Sequence, residues 1–174
     1  MRVEFLGTGT STGVPMIGCR CDVCRSKDSR DRRLRSSVCL TVDDKNILID
    51  CGPDFRQQML RSGIDHIDAV LLTHEHYDHT SGLDELRNFS RNNPIPIYAE
   101  PNVLDIIHQR LFYCFSEQPN PGVAHLELKA IENLSPFTLF GIDIEPVRVW
   151  HYRLPIIGYR IGRFAYITDM LTIP

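Results

Sequence analysis

The sequence predicts an α/β fold, and three observations carry that reading. A continuous apolar run, Asp68-Ala-Val-Leu-Leu-Thr73, has the composition of a strand buried on both faces. Around it strand-like and helix-like patterns alternate, and toward the end the chain turns to short β-rich runs broken by glycine and proline. A composition 43% hydrophobic and 24% charged over 174 residues suits a globular chain with one core, and one domain over residues 1–174 is expected.

Val3, Phe5 and Leu6 lead into Gly7-Thr8-Gly9-Thr10, a first strand that breaks at a glycine-rich turn. A cysteine-rich and then arginine-rich loop follows. Residues 37–42 and 46–50 are β-rich runs joined through Asp43-Asp44-Lys45, a hairpin turn. From Pro53 to Arg61 the pattern is helical, with Pro53 suited to the first turn and Gly63 just past the end. The buried strand 68–73 comes next, then a helix from Ser81 to Phe89 and an extended segment from Pro94 to Tyr98. Asn102 can cap a helix running to Leu111, and Gln118 to Gly122 is a proline-marked loop. Four β-rich runs close the chain, Phe137–Phe140, Ile142–Val149, Ile156–Ile161 and Phe164–Thr168.

Nineteen basic against twenty-two acidic residues give a formal net charge of −3, which argues against nucleic acid as a partner. The opening MRVEFLG lacks the apolar region of a signal peptide, and no stretch is apolar enough to span a membrane, so the cytoplasm is expected. Six cysteines in such a reducing compartment point to metal ligation before disulfides; Cys39, Cys51 and Cys114, scattered in sequence, are expected as small buried residues. Gly7, Gly9 and Gly13 fall one position short of a dinucleotide fingerprint, and Pro15 stands where its helix should begin, so a nucleotide cofactor is rejected. Six basic and two acidic residues between Arg25 and Arg35 could draw in a phosphate-bearing substrate, although a solvated loop explains them equally well. Phe112, Tyr113 and Phe115 suit a small core cluster; a lid or a homodimer contact is the alternative.

The chemistry concentrates in His74-Glu-His-Tyr-Asp-His79, directly after the buried strand. Its four donors, His74, His76, Asp78 and His79, exceed what one tetrahedral zinc needs while keeping a position open for water. Two metals follow from that count, able to hold a bridging hydroxide and polarise a phosphoryl or acyl oxygen. Three solvated loop histidines are the plain alternative, disfavoured by a position at the end of a buried strand. A second cluster, Cys19-Arg-Cys21-Asp-Val-Cys24, offers three thiols spaced for three positions of a structural zinc; a Cys19–Cys21 disulfide would close a strained ring.

His-x-His-x-Asp-His after a buried strand resembles the metallo-β-lactamase superfamily signature, and the resemblance implies an αββα sandwich, two mixed sheets flanked by helices. It also implies further ligands. His151, after Val149-Trp150, would join His74 and His76 on one metal; Asp78 and His79 would belong to the other, and Asp169 would bridge both. Asp50, ending the strand Ile47-Leu-Ile, matches the acidic position of the superfamily's first motif and would orient a ligand histidine; a turn-forming Asp is its alternative. The Gly-Cys-x-Cys-x-x-Cys run after Gly-Thr-Gly resembles the PhnP group of cyclic phosphodiesterases, and also the B proteins of pyrroloquinoline quinone biosynthesis.

That resemblance implies a hydrolase of a small cyclic phosphodiester, with Asp78 needed for turnover. The alternatives are an RNA-processing nuclease or an inactive metal-binding scaffold. The cofactors implied are two active-site divalent metals, zinc or manganese, and a structural zinc at the cysteines. In the PhnP group a late histidine completes each of the second metal site and the structural zinc site. This chain ends at Ile173-Pro174, so a fragment is expected; supply of those ligands by another chain is the alternative. His66, His108 and His125 are expected to be solvated, not substitutes.

Overall fold

The structure, a computed structural model, describes residues 1–118 and 120–173. Two β-sheets form. The six-stranded sheet has the order β1 (Arg2–Gly7), β2 (Ser37–Val42), β3 (Lys45–Ile49), β4 (Ala69–Leu71), β5 (Ile95–Ala99), β6 (Leu126–Ala130). It is mixed, with β1 to β3 antiparallel and β3 to β6 parallel. The four-stranded sheet, β7 (Phe137–Leu139), β8 (Ile142–His151), β9 (Leu154–Ile161) and β10 (Phe164–Tyr166), is antiparallel throughout.

Side-chain alternation sorts the core into two layers. On β3, Leu48 joins the layer under the helices, while Ile47 and Ile49 face the second sheet; Val70 on β4 divides from Ala69 and Leu71 in the same way. Helix α1 (Asp22–Arg25) is a single turn in the cysteine loop, whereas α2 (Phe55–Ser62) and α4 (Pro101–Arg110) cover the outer layer through Phe55, Met59, Val103, Leu104 and Ile107. Ile144, Ile157, Tyr159 and Ile161 fill the layer between the sheets. The fully buried Tyr159 hydroxyl donates to the Leu72 carbonyl at 2.6 Å, and the Ile157 amide donates to the Thr73 carbonyl at 3.1 Å, so β9 is tied to the chain just before the histidines.

Several sequence expectations need correcting. The β2–β3 turn is only Asp43-Asp44, at φ 45° and 62°, with Lys45 already paired to Val42; a two-residue turn with positive φ at both positions matches the twist of the strands. Helix α2 begins at Phe55, after Pro53, because the Asp54 carboxylate turns away to Arg35 and ties the arginine loop to the helix. The expected helix 81–89 is a 3-10 segment (Leu83–Asn88), preceded by the single-turn α3 (Tyr77–Thr80), and between the two the Gly82 amide donates to the Cys51 carbonyl. Pro101, not Asn102, starts α4, its missing N–H being harmless there. Strand β6 was not expected, although Leu126-Glu-Leu-Lys alternates as a half-buried strand does, with Leu126 and Leu128 packed on the outer layer at the edge of the sheet. The last strand stops at Tyr166. Of the loop 118–122, Pro119 lies outside the described residues. Among the described residues no helix is long and apolar enough to cross a membrane.

Candidate metal centre

The ends of β3 and β4 bring the first two parts of the site together. Asp50 follows β3, is fully buried and has φ 62°, a left-handed conformation that costs free energy in a residue with a side chain. That turn aims its carboxylate across to the end of β4, where it accepts from the Thr73 amide at 2.9 Å and the Thr73 hydroxyl at 3.0 Å. Its other oxygen lies 2.7 Å from Nδ1 of His79. Asp50 thus holds the end of one strand, the end of the next and a motif histidine at once.

The backbones meet more closely still. The Cys51 amide donates to the His79 carbonyl at 2.8 Å, and the Gly82 amide donates to the Cys51 carbonyl at 2.8 Å. A Cβ on Gly52 would sit 2.0 Å from the Asp78 carbonyl oxygen, and one on Gly82 would sit 2.2 Å from the Gly52 carbonyl oxygen. Only glycines let these segments touch.

His151 ends β8, two residues beyond the expected strand end at Val149, and Asp169 follows β10 with φ 52°. The second sheet brings them to the histidines because the Trp150 amide donates to Thr172 at 2.9 Å and the Leu171 amide to Trp150 at 2.7 Å, lashing the segment after Asp169 to the end of β8.

Donor atoms of His74, His76 and Asp169 lie within 4.8 Å of one another, as do those of Asp78, His79 and Asp169. Asp169 is common to both groups. His151 lies against the first, its ring centroid 5.4 Å from that of His76 and 5.9 Å from that of His74, but it belongs to neither donor group. Nε2 of His79 faces Asp78 at 3.1 Å and Asp169 at 3.2 Å.

Charge follows from this packing. Burial works against a charged His79, but the Asp50 carboxylate, with hydrogen bonds that Asp169, Asp50 and Asp78 accept from the ring, outweighs it and pushes the imidazole up to about 12. The His79 hydrogen bond in turn holds Asp169 and Asp78 below the usual carboxylate range. His74 goes the other way: burial, then the charge on His79, lowers it to about 4. A neutral, buried His74 accepts at Nδ1 or donates from it to Thr73 at 2.9 Å, while its Nε2 is buried without a hydrogen-bond partner and faces Asp169 at 3.6 Å. An orphaned imidazole nitrogen facing a carboxylate that is shared with the Asp78 and His79 donors fits a divalent cation.

At the cysteine loop, the sulfurs of Cys19, Cys21 and Cys24 also lie within 4.8 Å of one another, and all six cysteines are free thiols. The backbone amide of Cys24, then the Cys19 thiol, lowers the Cys21 pKa. Among the described residues no fourth histidine, cysteine or carboxylate completes this group. Cys39, Cys51 and Cys114 are buried as expected. Within the arginine loop, Arg30 pairs with Asp28 and Arg35 with Asp54, which leaves less free positive charge there than the sequence suggested. Thr73, Gly52 and Gly82 went unread in the sequence; their signal was adjacency, a threonine before the first histidine and a glycine two residues after Asp50.

This fold and cluster define a class, and the sequence comparison agrees: residues 45–174 match the β-lactamase superfamily domain, and the chain belongs to that family. Within it the chain is PhnP-like. It aligns with the crystal structure of a new diphosphatase from the PhnP family at 42% identity and TM-score 0.85, over 94% of this chain and 63% of that one. Zinc-bound PqqB from Methylobacterium extorquens superposes with TM-score 0.73 at 26% identity, over 95% of this chain and 61% of that one. In sequence, a coenzyme PQQ synthesis protein B from Methylobacterium radiotolerans is 36% identical over 84% of this chain and 52% of its own length. A Porphyromonas gingivalis protein named octanoyltransferase is 53% identical over 98% of this chain but only 35% of its own length. The chain therefore spans about a third to a half of the curated relatives it matches.

Proposed function

We propose that the chain carries a two-metal centre that hydrolyses small phosphate compounds, a cyclic phosphodiester foremost. The observation behind it is Asp169, shared by two donor groups whose other members come from the histidine motif. His74 and His76, with His151 alongside, would hold one cation; Asp78 and His79 would hold the other, and Asp169 both. Zinc and manganese suit imidazole and carboxylate donors alike. Bound divalent cations supply Lewis acidity, lowering the pKa of water and drawing charge from phosphoryl oxygens. The protein's part is to fix the donors: Asp50 keeps a proton on Nδ1 of His79, so that Nε2 is the nitrogen turned to the site. The thiols of Cys19, Cys21 and Cys24 would carry three positions of a structural zinc.

Hydrolysis of a diphosphate linkage is a second reading, favoured by the likeness to the PhnP-family diphosphatase. The octanoyltransferase name belongs to a protein of which this chain matches only 35% of the length, and it is not carried over to this chain.

The test is to load the purified chain with zinc or manganese and assay a 2′,3′-cyclic nucleotide, a nucleoside diphosphate and a precursor tRNA. Cyclic phosphodiester hydrolysis lost in Asp78→Ala is expected. Cleavage of the diphosphate alone would move the assignment to the second reading, and cleavage of the tRNA alone to an RNA-processing nuclease. Fewer than two equivalents of bound metal, beyond any zinc held by the cysteines, would sink the two-metal centre.

A further inference from the structure

We propose that Arg110, in the last turn of α4, is a positioning residue that holds the metal-ligand segment from outside, opposite the grip of Asp50 from inside. The inference rests on reading His74 to His79 as a metal centre. Nη1 of Arg110 donates to the Glu75 carbonyl at 2.6 Å and to the Thr80 hydroxyl at 3.2 Å. The Thr80 hydroxyl in turn donates a hydrogen bond to the His76 carbonyl at 2.9 Å. One guanidinium from 35 residues downstream thus fastens the peptide between His74 and His76 and, through Thr80, both ends of α3.

Helix α3 needs such help. It has four residues and no side-chain cap at its start, and a single helical turn does not sustain itself in water. By helical spacing Tyr77, Thr80 and Ser81 share the face away from Asp78 and His79. On that face a cavity of about 350 Å³, lined by Tyr77, Thr80, Ser81, Ile107, Arg110 and Leu111, separates α3 from the end of α4. Arg110 reaches across it. His76 and Asp78 lie on the less buried part of the segment, so their backbone positions depend on this tether more than those of His74 and His79, which Thr73 and Asp50 also hold.

Electrostatics does not account for an arginine here. A guanidinium beside a cation site repels the cations, and its exposure lets solvent screen that charge. What arginine offers is reach and a planar donor fork that serves two acceptors at once.

The test compares the full chain with Arg110→Ala, Arg110→Lys and Arg110→Gln. Zinc affinity is read by chelator competition, the visible spectrum of the cobalt(II)-loaded protein reports ligand geometry, and metal-free circular dichroism reports the fold. Arg110→Ala is expected to keep the metal-free spectrum, lose about ten-fold or more in zinc affinity and shift the cobalt bands. Arg110→Lys, which keeps the charge and N–H donors but not the fixed planar geometry of the guanidinium, is expected to recover part of both. Wild-type affinity and cobalt spectrum in Arg110→Ala would overturn the inference while leaving the metal centre standing. If Arg110→Ala fails to fold, Arg110→Gln takes its place, and wild-type affinity and cobalt bands in that variant would overturn the inference equally. A wild-type chain that binds neither zinc nor cobalt would overturn the metal-centre reading and this inference with it.

Discussion

Replacing Gly52 with alanine tests the geometry of the site without assuming what it binds. The new Cβ would lie 2.0 Å from the Asp78 carbonyl oxygen and 3.0 Å from its carbonyl carbon. Non-bonded heavy atoms rest roughly 3.5 Å apart, so the two segments must separate by about 1.5 Å. Neither neighbour is a flexible side-chain end; both are backbone. The hydrogen bonds of 2.8 Å from Cys51 to His79 and from Gly82 to Cys51 would then stretch beyond bonding distance. Leaving buried polar groups unpaired costs about 1–3 kcal/mol each, which puts the substitution at roughly 2–6 kcal/mol. At about 2–4 °C per kcal/mol for a chain this size, the melting temperature should fall by roughly 5–20 °C. Calorimetry on the metal-free protein, with urea unfolding as a second measure, reads it directly. A drop of less than about 2 °C would refute the close approach, and with it the account of how Asp78 and His79 are set against Asp50.

Asp50→Asn preserves shape but offers an amide where His79 Nδ1 needs an acceptor; zinc affinity should fall by about 10–100-fold, and titration calorimetry giving the wild-type value would count against Asp50 as the orienting group. Asp78→Ala should remove phosphodiester turnover while leaving the metal-free fold intact, checked by parallel rate and melting measurements. Tyr159→Phe deletes the hydroxyl that donates to the buried Leu72 carbonyl at 2.6 Å, and a lower urea midpoint worth about 1–2 kcal/mol is expected. His66 should titrate above its usual value of 6.5, since a hydrogen bond with Asp65 and then the Asp44 carbonyl favour its charged form. Its stabilising contribution is complete below the unfolded value and is lost as pH rises through the raised one. Half-exposure keeps it small. An NMR midpoint that does not move down in Asp65→Asn would contradict the pairing.

Local signals were legible. The strand before His74 announced itself because both its faces are buried, so Val70 and Leu71 point to opposite layers of apolar side chains and no polar residue interrupts the run. Gly63 marked the end of α2, where the chain does turn left-handed at φ 73°. The 81–89 segment misled because its apolar spacing is helical, while the contact of Gly82 with Cys51, which no window on the sequence contains, breaks the helix. The edge strand β6 shows a period of two, Leu126 and Leu128 inward between Glu127 and Lys129, but the run is only five residues long, and its parallel pairing with β5 is what makes it a strand.

The donors His74, His76, Asp78, His79 and the three clustered cysteines could be read without any coordinates, because ligands within six residues of one another are near in any fold. The element before the histidines could be read too, because burial on both faces is written in composition. The distant groups Asp50, His151 and Asp169 could be named only through the family resemblance, and how they meet the motif is decided in three dimensions, as is the part of Arg110. His79 meets Asp50 from 29 residues away and Asp169 from 90, and Arg110 reaches Glu75 across 35. Those meetings depend on the register of β3 against β4 and of β8 against β9, on the left-handed turns at Asp50 and Asp169, and on the missing Cβ of Gly52. Each is a product of pairing and close packing between segments, which no local pattern of residues encodes.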